Sequence, residues 1–208
     1  MKNPAPAEFP VHELIANRWS PRAFAEKDVA PETLRSLFEA ARWAPSSSNE
    51  QPWSFIVAAR NDPENFEKAL QPLVEFNVNW AKHAAILGFA VCELAFARNQ
   101  APNRNAQYDT GAAMALLSVE ATARGLYVHQ MAGFDPDTAR EVFSIPAGFE
   151  AIAAFAIGYP GDANSLPQPL RDRETAPRIR KPIRDFVMTG AWGQPAPFVF
   201  LSGEHGRR

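Results

Sequence analysis

The sequence predicts a three-layer α/β domain with a central mixed sheet flanked by helices. Three observations carry that prediction. Four short apolar runs, 53–59, 84–91, 126–131 and 151–158, have the length and continuity of buried strands. The segments between them carry apolar residues at helical spacing, so strands and helices alternate around one sheet. A chain of 208 residues with 46% hydrophobic content can build one sizeable core, which makes 1–208 a single domain by default.

Each element follows in order. Residues 11–17 form a short helix with an apolar face, stopped at Arg18-Trp19-Ser20-Pro21-Arg22, where the proline biases Ser20 toward extended backbone. Residues 31–43 form the next helix, with Pro31 at its start and Leu34, Leu37, Phe38 and Ala41 at helical spacing. Residues 62–76 are helical with breaks at Pro63 and Pro72. The longest helix is 105–124, with Gly111, Ala112, Ala113 and Ala115 in its first half. A helix so rich in small residues packs closely on another, within the core or across a dimer axis. Gly125 ends it in the left-handed region. Asp135 caps a further helix with Pro136 at its first position. From about 160 to 208 the chain is proline-rich and strand-poor, an extended arm that lies over the body or over a partner.

Composition excludes several classes. A net charge of −2 gives no overall pull toward nucleic acid or an anionic membrane. The single cysteine, Cys92, cannot form an internal disulfide and reads as a small core residue in a reducing compartment. No apolar run reaches the length of a membrane span, and residues 4–10 lack the features of a signal peptide, so the expected location is cytoplasmic. Glycine-rich dinucleotide and phosphate loops and the serine nucleophile elbow are absent. His12, His83, His129 and His205 have no metal-like spacing, and His129 reads as a core or hydrogen-bonded histidine. With no nucleophile and no acid–base pair in view, any chemistry falls to a cofactor.

Three polar segments suggest a ligand. Ala44-Pro45-Ser46-Ser47-Ser48-Asn49-Glu50-Gln51-Pro52-Trp53 is too polar and turn-prone to be core, yet joins two apolar elements. It is either a plain helix-to-strand turn capped by Ser and Asn, or a polar rim around a planar ligand. Arg18, Ser20 and Arg22 alternate along extended chain, as do Arg178 and Arg180. Such arginines are either solvated charge or convergent donors to one phosphate.

Arg18-x-Ser20-x-Arg22-x-Phe24, Pro45-Ser46-Ser47-x-Asn49-x-Gln51-Pro52-Trp53, Phe76-Asn77, Gly125-Leu126 with Gly133-Phe134-Asp135, Ile157-Gly158-Tyr159-Pro160 and Arg178-x-Arg180-x-Pro182 occur in sequence. Together they resemble the FMN-dependent nitroreductase family over roughly 11–182. The resemblance implies an intertwined homodimer with FMN in the subunit interface. Arg18 and Ser20 would hold the phosphate and ribityl chain, with Arg178 and Arg180 completing the phosphate cage. Arg22 would lie at the pyrimidine side of the ring, where a cation favours the reduced form. Pro45, Ser46 and Ser47 would reach the partner's flavin, with Asn49 supporting that loop. Asn77 would bond the ring edge, and Met131, Ala132 and Gly133 would pass close to its reactive nitrogen. Trp19, where the family has a polar or basic residue, would tighten the phosphate site or stack there.

The implied activity is an NAD(P)H oxidoreductase: NADH or NADPH delivers hydride to FMN and leaves, then a nitroaromatic, quinone or similar small-molecule acceptor is reduced at the same site. Dehalogenation or dehydrogenation on the same fold, a non-catalytic flavin-binding protein, and a structural dimer without cofactor are the rival readings. No nucleic acid, membrane or metal is expected as a partner.

Overall fold

A computed structural model describes residues 3–200. The chain divides into two compact units, Met1–Ala176 and Pro177–Arg208. The first contains every strand of the sheet. In order its elements are α1 (Glu13–Asn17), α2 (Pro31–Arg42), β1 (Trp53–Ala59), α3 (Pro63–Leu70), α4 (Glu75–Ala81), β2 (Ile86–Glu93), α5 (Ala106–Ala123), β3 (Tyr127–Met131), α6 (Pro136–Phe143), β4 (Phe149–Gly158) and α7 (Gln168–Thr175).

The punctuation read from the sequence sets these boundaries. Pro31, Pro63 and Pro136 each stand at or near a helix start, where a missing N–H costs nothing. The Asp62 and Asp135 carboxylates accept from the amides of Asn65 and Asp137. Gly125 has φ of 72° just past α5, and Leu126 N–H bonds back to the Ala121 carbonyl.

The strands run β1-β2-β4-β3. Every pairing is antiparallel, with a register shift between Ala90 and Val91. This corrects the expected mixed sheet: no parallel pair exists among the described residues. Apolar runs reveal strands but not their direction. β2 and β4 are the buried central strands. β1, read as buried, is an edge strand in which only Ala58 is buried and Val57 is exposed.

The three layers are present. One face packs Ile86, Ala90, Phe155 and Ile157 against Leu37 and Ala41 of α2 and Ala113, Met114 and Leu117 of α5. The other packs Leu87, Phe89, Ala154 and Ala156 against Phe66, Trp80 and Ala139 of the helices on that side. Gly88 makes this closeness possible, because a Cβ there would lie 2.4 Å from the Ile56 carbonyl oxygen and 2.5 Å from the Phe155 ring. Cys92 is fully buried, and burial pushes its thiol up to about 11, so it is an inert core group.

The arm begins later than the sequence reading placed it, because 168–175 is helical. Its charges and the prolines at 167 and 169 hid the helix, whose buried face is only Leu170 and Glu174. The second unit is strand-poor as expected. Among its described residues are single turns at Ile183–Asp185 and Pro197–Val199 and a bridge between Met188 and Pro195.

Candidate active site

The segment 18–24 alternates as extended chain should. Trp19, Pro21 and Ala23 are buried, while Arg18, Ser20 and Arg22 are partly or fully exposed. Trp19 is 6% exposed and meets Tyr127 edge-on at 6.0 Å, so its ring belongs to the core and not to a ligand wall. The segment is held from three sides. His129 on β3 donates from Nδ1 to the Pro21 carbonyl at 2.9 Å, the only role open to it against a carbonyl. Phe24 stacks on Trp80 at 6.2 Å and packs beneath Gly158. Glu174 on α7 accepts from the amides of Arg22 and Ala23.

His129 is therefore a structural group, as read. Burial drives its pKa down to about 4, and the Pro21 hydrogen bond only partly opposes this. The Arg22 guanidinium is half-buried, and its Nε makes no hydrogen bond. Beside it opens a cleft of about 690 Å³ lined by Arg22, Phe24, Phe76, Asn79, Lys82 and Leu170 among others.

A second group forms where α4 meets the end of β3. Asn77 is buried, and its Nδ2 donates to the Gly133 carbonyl at 2.9 Å. The Val74 amide bonds the same carbonyl at 3.1 Å. The sequence-predicted pair Asn77 and Gly133 is thus brought together, next to Met131 and Ala132. Among the described residues no loop or turn hydrogen bond engages the amides of Ala132 or Gly133. A Cβ on Gly133 would lie 2.6 Å from Asn77 Nδ2 and 3.0 Å from Val74 Cγ2. Gly133→Ala should therefore displace Asn77 and cost about 1–3 kcal/mol by overpacking. A urea midpoint equal to the parent's would show instead that Asn77 swings aside without penalty.

The serine-rich loop is built with strain. Ser48, Asn49 and Gln51 have φ of 57°, 55° and 53°, a conformation that L side chains disfavour at about 1–3 kcal/mol each. Three contacts hold it there. Ser47 N–H donates to the buried Asp109 carboxylate at 2.9 Å, Gln51 N–H donates to Ser46 Oγ at 3.0 Å, and Glu50 Oε1 accepts from Ala97 N–H. Pro45 and Asn49 are exposed, and Ser46 and Ser47 are partly so. Asp109 and Glu174 were not singled out from the sequence. A charge inside the apolar α5 was a signal for Asp109; Glu174 is one of four successive charges and gave none.

One chain does not unite these parts. The serine-rich loop leads into Trp53, which pairs with Cys92, while Phe24 lies at the opposite end of the strands beside Gly158. β1 and β3 are also the two edges of the sheet. The loop and the Arg22 segment are thus separated by a strand length, roughly 20 Å, along the sheet and three strand spacings, roughly 14 Å, across it. Arg178 and Arg180 lie in the second unit, Arg178 partly buried and Arg180 exposed.

The side chains gathered around Arg22 and Asn77 are a cation and hydrogen-bond donors, groups suited to binding and polarising a ligand. Residues 15–159 match the model of the nitroreductase family, and the chain belongs to that family. A solved oxidoreductase containing FMN superposes with a TM-score of 0.86 at 36% identity, covering 91% of this chain and 96% of that one. A 15.4 kDa protein from the ask 5′ region of Mycolicibacterium smegmatis is 37% identical over 116 residues, 54% of this chain and 76% of the relative. A protein of Archaeoglobus fulgidus named for NADH dehydrogenase/NAD(P)H nitroreductase activity is 26% identical over 154 residues, 72% of this chain and 85% of its own.

Proposed function

We propose that the chain is an FMN-dependent NAD(P)H oxidoreductase, working as a homodimer, that reduces nitroaromatic, quinone or similar electron-poor substrates in two half-reactions at one site. The observation that carries this reading is Arg22: a half-buried guanidinium with an unengaged Nε, on backbone pinned from three sides, beside an open cleft. Such a cation suits an electron-rich ring edge. The solved relative containing FMN supports the choice of cofactor, and the Archaeoglobus relative supports NADH or NADPH as donor.

FMN, when bound, supplies the two-electron carrier. The chain supplies the binding groups and the field around it. Arg18 and Ser20 hold the phosphate and ribityl chain, and Arg22 faces the pyrimidine edge. Asn77, with the backbone at Met131, Ala132 and Gly133, lines the rest of the ring. Arg178 and Arg180 lie in the second unit, and Arg178→Ala and Arg180→Ala test on their own whether either arginine contributes to FMN affinity.

The serine-rich loop, with Pro45, Ser46, Ser47 and Asn49, serves the partner's site. Two observations support that assignment. The loop is far from Arg22 of its own chain. In addition, α5 exposes Tyr108, Gly111, Ala115 and Leu116 at helical spacing. Tyr108 is 80% exposed, and a Cβ on Gly111 would meet nothing within 4 Å, which supports a second copy as the cover for this face. Among the described residues no helix is long and apolar enough to cross a membrane. The inert buried Cys92 suits a reducing compartment, and we assign the cytoplasm on that ground.

The test is visible absorption of the purified protein with mass identification of any released cofactor, followed by NADH and NADPH oxidation with an acceptor screen. About one FMN per chain is expected. A colourless protein that fails to bind added FMN overturns the reading. Arg18→Ala should weaken FMN binding by about 1.5–3 kcal/mol, roughly ten- to 150-fold, while gel filtration still shows a dimer. Unchanged affinity would remove Arg18 from the phosphate site.

A further inference from the structure

Glu174 is a buried carboxylate to which the reading above assigns no part. It is 2% exposed, on the inner face of α7 one turn after the buried Leu170. Its Oε1 accepts from the amides of Arg22 at 2.9 Å and Ala23 at 3.0 Å, and its Oε2 accepts from Arg22 N–H at 2.9 Å. These partners lie 152 and 151 positions away in sequence. Burying a charge is costly unless hydrogen bonds compensate it, and here both oxygens are engaged as acceptors.

A neutral acceptor would suffice to tie down two amides. What a carboxylate adds is charge, placed at the backbone of the residue whose guanidinium is half-buried. Burial pushes the Arg22 pKa down, Glu174 pulls it back up, and Arg173 from the same helix pushes it down again. The carboxylate thus acts on the guanidinium through space while its recorded hydrogen bonds hold the backbone, and it is Arg22 rather than Glu174 that lines the cleft.

We propose that Glu174 is the positioning residue for Arg22: it fixes the backbone from which the guanidinium projects, and its charge moderates the field that Arg22 exerts on the cofactor. The cofactor's midpoint potential is then lower than Arg22 alone would set, and the pair tunes the protein toward its acceptors. The inference rests on the FMN reading above, and on the assignment of Arg22 to the pyrimidine edge.

The experiment has two arms. Hydrogen exchange of the protein without cofactor, read by mass spectrometry over residues 20–25, reports positioning and needs no FMN. Dye-coupled reductive titration of the FMN-loaded protein reports the field. Glu174→Gln should shift the midpoint potential upward, and Arg22→Gln should shift it downward. Glu174→Asp keeps the charge on a shorter stem; it should speed exchange at Arg22 and Ala23 at least tenfold and leave the potential close to the parent's.

A Glu174→Gln protein with the parent's potential overturns the charge half of the proposal. An Arg22→Gln protein with the parent's potential shows that Arg22 exerts no field on the cofactor for Glu174 to moderate, and overturns it as well. Unchanged exchange in Glu174→Asp overturns the positioning half, and this arm decides if Glu174→Gln fails to fold. A parent protein that takes up no FMN defeats the cofactor reading and the charge half together, whereas one that binds FMN but shows no Glu174 effect defeats this proposal alone.

Discussion

Trp80→Ala should cost about 3–5 kcal/mol of folding stability and should also weaken whatever the Arg22 segment binds. Trp80 has no exposed surface and stands at the centre of the core that covers one face of the sheet. Its ring lies 4.4 Å from that of His129 and 6.2 Å from that of Phe24, so it supports the 21–24 backbone on both sides. Removing it leaves a cavity beneath the segment that carries Arg22. Trp80→Phe is the informative control. The indole Nε1 is buried without a hydrogen-bond partner, so phenylalanine gives up volume but no hydrogen bond. It should cost less than half as much as alanine. Urea unfolding of the two variants decides the matter: equal losses would mean that the indole N–H matters more than the ring's bulk.

What the sequence could reveal here depended on whether a residue's role is local. The central strands were legible because burial on both faces demands continuous apolar residues, as in 86–92 and 151–158. The edge position of β1 was not, because Trp53-Ser54-Phe55-Ile56-Val57 is apolar enough to pass for a buried strand while Ser54 and Val57 are exposed. Strand direction was invisible for the same reason, since apolar runs read alike either way.

The outward alternation of Arg18, Ser20 and Arg22 followed from extended geometry around Pro21 and is what the burial pattern shows. The groups that hold them were a different matter. Glu174 arrives from a helix masked by its own charges, and Asp109 holds the serine-rich loop across 62 positions. Long-range anchors of this kind leave no local pattern. Nor does the left-handed backbone at Ser48, Asn49 and Gln51, which is imposed by the loop's anchors rather than by glycine.

Acidification should expose the same substructure from another direction. His129 is 9% exposed and neutral in the fold, with its Nδ1–H on the Pro21 carbonyl. Its pKa is about 4 in the folded chain, against 6.5 for an ordinary histidine. The unfolded chain therefore takes up this proton first as the pH falls, and proton uptake by the unfolded state favours unfolding. The stability that neutral His129 contributes is complete above about pH 6.5 and declines as the pH drops toward 4. Below that both states are protonated and this loss levels off. Across the window the loss is on the order of 3 kcal/mol, at about 1.4 kcal/mol per unit. Carboxylates titrate near the lower end, so the slope of the parent alone does not isolate the effect. His129→Asn does: its amide can still donate to the Pro21 carbonyl but takes no proton. The variant will be less stable at every pH through lost packing against Trp80, yet its stability should change less than the parent's between pH 6.5 and 4. Parallel curves for parent and variant would mean that His129 is protonated in the fold. The neutral-donor role that fixes Pro21, and through it the approach to Arg22, would then have to be abandoned.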